Sequence, residues 1–301
     1  MKNDNQNRLR RLLPIMLFGL LAVLLLFPSW KTGYVIGATE SDVWPHLWGY
    51  WWIGDSVINN HEIPFETGLI KHPQGGVLYF PDLFGALLSV PFQLCLSIEQ
   101  AFNCVLAIKV FLLGLSSFLL CKHVTGGQAA SVMAGIFMAT SPFFLSEIHN
   151  GISEVLNFSW TVLFILALLK LGSGQRHASI TAAVCFFITF LGNWYYALIN
   201  VMCAVLWFGS LLIKDRKRSL SVLPYALIAG VLSAGLVLPL AGVLARSLKA
   251  DTAIVKRDHT EVLSLFKNEH NVVDVLSFVM PGSYHSPDLK KKFGENSILA
   301  I

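Results

Sequence analysis

Seven apolar runs divide this chain and leave few folds open to it. They cover about Leu12–Phe27, Ala101–Leu120, Ala129–Leu145, Val155–Leu171, Ser179–Gly192, Ala197–Ile213 and Leu220–Leu244. Runs near twenty residues match the thickness of the bilayer hydrocarbon when they are helical. Lipid offers the backbone no water to bond, so such runs resolve as helices with their hydrogen bonds satisfied internally. The charged fraction agrees: 13% of the 301 residues are Asp, Glu, Lys or Arg, where a soluble domain averages about 25%. The predicted fold is all-α, a polytopic transmembrane bundle of about seven spans with a truncated eighth, in a single membrane domain over residues 1–301. Asn296–Ile301 reads as the start of that eighth helix, so a further C-terminal part is expected.

Charge placement orients the bundle. Lys2, Arg8, Arg10 and Arg11 precede the first run, and Lys and Arg gather on the cytoplasmic side. A signal peptide has the same opening, but the run ends in Pro28-Ser29-Trp30, a poor cleavage site, so the first run reads as an uncleaved helix with a cytoplasmic N-terminus. Residues 31–82 then form a first external loop, with an aromatic helix along the membrane surface over Val43–Ile58. Leu83–Leu96 is short and broken by Pro91, which suits an interfacial or re-entrant piece better than a span. Counting on from there puts the basic loop Lys214–Arg218 inside, in agreement with the N-terminus. Residues 246–295 form a second large external loop. Pro224 and Pro239 predict kinks in the seventh helix.

The net charge of +4 reports those cytoplasmic loops, and no separate basic domain suggests nucleic acid. Cys95, Cys104, Cys121, Cys185 and Cys203 lie in or beside apolar segments without a CxxC pair and read as packing residues. Phosphate-loop, dinucleotide, HExxH and Cys/His metal patterns are absent.

Ionisable groups beside a membrane are where chemistry is expected. Thr39–Trp52 holds Glu40, Asp42, His46 and four tryptophans just after the first helix. A carboxylate there can act as a general base or hold a divalent cation on a phosphate. The plainer reading makes Asp42 a helix N-cap, with Pro45 early in the helix. Glu147, His149 and Glu154 lie in the next external turn, where they either face the same mouth or are solvated at the interface. His72-Pro73-Gln74-Gly75-Gly76 is a rigid loop, either a substrate contact or a turn. Trp194, Tyr195 and Tyr196 read as belt aromatics, with sugar stacking as the alternative. Lys109, inside the second run, either snorkels to the interface, the commoner outcome, or pairs with a phosphate or carboxylate. Arg246, Lys249, Lys256, Arg257 and His259 offer cations to a lipid phosphate, or form a solvated surface.

Taken together, the layout resembles the GT-C superfamily, integral-membrane glycosyltransferases that use polyprenyl-phosphate sugars. The segments that carry the resemblance are Glu40-Ser41-Asp42 followed by Trp48 and Trp51-Trp52, the loop His72–Gly76, the stretch Asp274–Pro281, and Glu295 ahead of a new helix. The acids are split by Ser41 where the family usually has a doublet, and its members are typically longer. The resemblance implies an inverting transferase of a bacterial inner membrane, with a lipid-linked sugar donor as partner. Asp42 would be the base, with Glu40 as the alternative. His72, Glu147, His149, Glu154, Arg246 and Arg257 would bind substrate, and a divalent metal is compatible. Two other readings stand beside it: a transporter or flippase-like protein, and a non-catalytic membrane assembly protein.

Overall fold

The computed structural model describes residues 2–30, 33–38, 41–61, 66–69, 76–77 and 82–249; for residues 2–11, 28, 30, 66, 76–77, 244 and 246–249 it describes the backbone alone. Met1–Ser247 makes one compact unit and Leu248–Ile301 another; the helical bundle and its candidate site belong to the first. Glu40, His72 and Arg257 lie outside the described residues, as does the expected eighth helix.

The described elements are all helical, apart from a two-residue antiparallel pairing of β1 (Glu66–Thr67) with β2 (Gly76–Val77). The helices are α1 (Lys2–Leu25), α2 (Val43–Asp55), α3 (Leu83–Gln93), α4 (Ile98–Thr125), α5 (Gln128–Ala139), α6 (Pro142–His149), α7 (Phe158–Gly172), α8 (Ala178–Gly192), α9 (Trp194–Lys214) and α10 (Arg216–Lys249). Five segments are long and apolar enough to cross a membrane: Ile98–Thr125, Gln128–His149, Ser153–Gly172, Trp194–Lys214 and Arg216–Val243. Leu12–Leu25, Leu83–Gln93 and Ala178–Gly192 are shorter apolar helices. Each of the seven runs is therefore helical, and within Leu83–Leu96 the helix is the short Leu83–Gln93, 11 residues and about 16 Å long.

Local chemistry sets the boundaries. Ser97 and Gln100 form a reciprocal capping box at the head of α4, and Gly126 ends that helix in the left-handed region at φ +70°. The third run divides into α5 and α6 because Pro142 cannot donate into a continuing helix; Ser141 caps the new one by accepting from Phe144 N at 3.4 Å. Asn193 caps α9, its Oδ1 accepting from Tyr195 N at 3.0 Å and Tyr196 N at 3.3 Å. The assigned helix α10 runs on through Pro224 and Pro239.

Packing centres on α4. Its Gly114 and Gly135 of α5 bring two backbones together, and the buried Phe18 of α1 lies in the notch they leave. Asn103 of α4 fastens the segment after α1: its Nδ2 donates to Tyr34 O at 2.7 Å and Ser29 O at 3.0 Å, and its Oδ1 accepts from Ile36 N at 3.1 Å. One face of α2 (Val43, Tyr50, Ile53) joins Phe102, Leu106 and Leu113 in this core with His46 buried on the same helix, while Trp44 and Trp51 stay exposed. The basic turns collect at the bundle end opposite Ser146–Glu154, where Arg176 lies over the Tyr225 ring at 5.3 Å.

Candidate functional site

Asp42 occupies the N-cap position of α2, as its neighbours predict, yet its side chain makes no capping bond and is exposed. The loop that carries it is fastened elsewhere. Ser41 Oγ donates to Asn150 O at 2.6 Å, in the turn between α6 and α7. Gly151 follows at φ +71°, and a side chain there would strike Val43 and the Ile36 carbonyl. Only glycine fits both the backbone conformation and the space.

This junction brings Asp42 near Glu147 and Glu154. The charge of Asp42 acts on Glu147 and Glu154, both half-buried, and on His46. Tyr196 of α9 feels Glu147 and Glu154 and packs edge-on against Phe158, with centroids 5.2 Å apart. His149 is exposed and lines a cavity of about 300 Å³ with Tyr34, Val35, Ile36, Leu145 and Ile148. Arg246 lies on α10, in the part described by backbone alone. Tyr195 is exposed, as a belt residue should be. Among the described residues, no group of three His, Cys, Asp or Glu side chains is placed to hold a metal ion.

Beneath the acids lies a cluster that the sequence did not reveal. Lys109 does not snorkel. It is fully buried and its Nζ meets Asp82 Oδ2 at 2.5 Å, with Asp82 equally buried. Asp82 caps α3, Oδ1 accepting from Gly85 N at 3.1 Å and from Asn157 Nδ2 at 2.8 Å. Its Oδ2 also accepts from Tyr50 Oη at 2.7 Å and from Ser153 Oγ. Lys109 Nζ donates again, to Ser153 O at 3.1 Å. A side chain at Gly85 would collide with Tyr50, Asp82 and Lys109, so glycine is required to close the cluster.

The electrostatics follow from this crowding. Burial by itself would push the Asp82 carboxyl up, but the Lys109 charge and the bonds from Lys109, Ser153 and Asn157 outweigh it and hold the group below the usual carboxylate range. Burial, with the Asp82 charge, pushes the Tyr50 phenol well above its ordinary value and keeps it a donor. Burial pushes the His46 imidazole down, so it is neutral at neutral pH. Ser153 gives its proton to Asp82 and so accepts from His46 Nδ1, 3.4 Å away. Ser, His and Asp therefore meet here in the wrong order for a hydrolytic triad, since the carboxylate holds the serine and not the imidazole.

A sequence signal for the pair existed in part. Lys109 stood out as a charge inside an apolar run, but Asp82 read only as the end of a loop.

No curated protein and no solved structure matches the chain. Residues 78–295 match the family model described as bacterial membrane protein YfhO. That stretch is well over half of the chain and takes in Asp82, Lys109, Glu147, Ser153 and Glu154, which makes this protein a member of the YfhO family of bacterial multi-pass membrane proteins.

Proposed function

We propose that this protein moves a sugar from a polyprenyl-phosphate donor to an acceptor hydroxyl at the outer face of the bacterial inner membrane. One observation carries the reading. Asp42 stands exposed and uncommitted to capping, on a loop bonded to the turn that bears Glu147 and Glu154. A helix cap would have consumed its carboxylate; a general base needs it available. The basic turns at the opposite end support a cytoplasmic position for that end, which puts the acids outside.

In this reading the donor enters sideways from the bilayer. Arg246 and Arg257 hold its phosphate by charge. Asp42 removes the proton of the acceptor hydroxyl, with Glu40 as the alternative base. The acceptor oxygen bonds to the anomeric carbon as the bond to the phosphate oxygen breaks, and the lipid phosphate leaves with the electron pair. A single displacement of this kind inverts the anomeric centre. Glu147, Glu154, His149 and His72 bind the sugar and acceptor hydroxyls. A divalent cation is compatible with the phosphate chemistry. The partners are the lipid-linked donor and membrane lipids, not nucleic acid. Asp42, Glu147, Glu154 and His46 gather at one end of the bundle, which supports an enzyme mouth over a transport path through the midplane.

The test is transfer from radiolabelled polyprenyl-phosphate hexoses and N-acetylhexosamines in membranes holding the protein. Asp42→Asn is expected to insert normally and to lose about 100- to 10,000-fold in transfer, the usual contribution of general-base catalysis. Transfer by the variant at the wild-type rate would remove Asp42 from the role of base.

A further inference from the structure

The buried cluster spends most of its bonds on one short turn. Residues Ser153–Asn157 form a short 3-10 turn, and Ile152 before it supplies no side-chain cap, so local chemistry does not fix its position. Three bonds from the cluster do. Ser153 Oγ and Asn157 Nδ2 both donate to Asp82, and Lys109 Nζ donates to the Ser153 carbonyl, the peptide oxygen directly before Glu154. From the other side the residues that lead into it are held, Asn150 by Ser41 and Gly151 by its close fit on Val43. Glu154 is thus the half-buried acid on a turn clamped from both sides.

A purely structural account of the ion pair is weak. A buried pair returns in attraction little more than its desolvation costs, and apolar residues of similar size often replace one without loss of stability. Here the pair directs donors from α2, α3, α4 and the 3-10 turn onto one carboxylate. It gives direction, which an apolar contact does not.

We infer that Asp82 and Lys109 are positioning residues for the transfer reaction: through Ser153 and Asn157 they set the Glu154 carboxylate in the mouth shared with Asp42, where it binds a sugar hydroxyl of the donor. The inference rests on the transferase reading, and its test separates the two. Ser153→Ala and Asn157→Ala cut turn-side bonds of the clamp, whereas Asn200→Ala cuts a buried bond between α9 and α8, to Thr189 Oγ1 at 3.2 Å, outside the cluster. Each variant is assayed for kcat and donor KM with the radiolabelled polyprenyl-phosphate sugars, and for melting temperature. Positioning requires both turn-side variants to lose at least tenfold in kcat with donor KM within twofold of wild type, and Asn200→Ala to lose clearly less. Equal losses in all three that track the melting temperature would mean a structural role and overturn the inference. So would wild-type kcat in Ser153→Ala and Asn157→Ala.

A second arm needs no turnover. With the native cysteines replaced, Glu154→Cys is labelled by a membrane-impermeant thiol reagent with and without Ser153→Ala, and Tyr195→Cys serves as the exposed reference. Release of the turn is expected to change the labelling rate at position 154 at least fivefold and to leave position 195 unchanged. An unchanged rate at 154 overturns the clamp. Absence of transfer by the wild-type protein, with the labelling shift present, sinks the transferase reading and leaves the clamp standing.

Discussion

Helices α4 and α10 are about equally apolar and of the same spanning length, yet they take opposite places in the molecule. Half of the apolar span of α4 is buried and none of that of α10. The difference lies in what each helix offers besides hydrocarbon. Helix α4 carries Asn103, Lys109, Ser116 and Ser117 on its buried surface and presents Gly114 to α5. Helix α10 meets the bundle mainly through small contacts at Val222 and Ala229, and an apolar cavity of about 590 Å³ lies between it and α7, α8 and α9. In lipid, hydrophobicity does not drive helices together, because the tails are as apolar as leucine; close backbone approach and polar bonds do. The packed half of the molecule is where those devices are found, and it is also where the candidate site lies.

The comparison breaks first at Lys109. Lys109→Met leaves Asp82 buried without its counter-charge and should cost about 3–5 kcal/mol, seen as loss of monodisperse protein in detergent. Replacing both residues by leucine should recover most of that stability. If the single variant melts like wild type, the pair contributes nothing to the packed half.

The next largest effect concerns glycine. Gly135→Ala forces a methyl against Phe18 and the Gly114 carbonyl, and should cost about 1–3 kcal/mol as overpacking does. The same change at Gly230 of α10 meets nothing within 4 Å. It should be neutral or stabilise by up to about 1 kcal/mol through helix propensity. Equal melting temperatures for the two variants would erase the distinction between the helices.

The smallest effect is in pH. The folded-state pKa of His46 lies below its unfolded value near 6.5, so the unfolded chain binds the extra proton. The stability that neutral His46 contributes is therefore present above about pH 6.5 and is lost as pH falls below it, by at most about 1.4 kcal/mol per pH unit. Melting curves from pH 7.5 to 5.5 should slope downward, and His46→Gln should flatten that slope. A slope unchanged in the variant would mean that other groups govern the acid response.

How much of this was legible in the sequence differs between fold and site. The spans were legible because bilayer thickness and backbone hydrogen bonding act on each segment alone. Runs near twenty apolar residues became helices, and Leu83–Leu96, with Pro91 inside it, became a short one. The third run was read as one helix and is two, although Ser141-Pro142 held the signal for a stop and a new cap. Asp42, Glu147 and Glu154 could be picked out as acids beside the apolar runs of a chain poor in charge. That the loop of Asp42 is tied to the turn beside Glu147 and Glu154 rests on the bond between Ser41 and Asn150, residues 109 positions apart, and no local pattern encodes it.

Asp82 is the sharper case. In sequence it is one acid before a short apolar helix, with nothing to separate it from a cap. Its partners Tyr50, Lys109, Ser153 and Asn157 lie between 27 and 75 positions away. The sequence by itself determined that this protein is a bundle of membrane helices, because hydrophobic length is a property each segment owns. Only the tertiary structure decided which charge is buried, which acid is left available and which turn is clamped, because a buried charge is tolerated only where partners from separate helices converge on it.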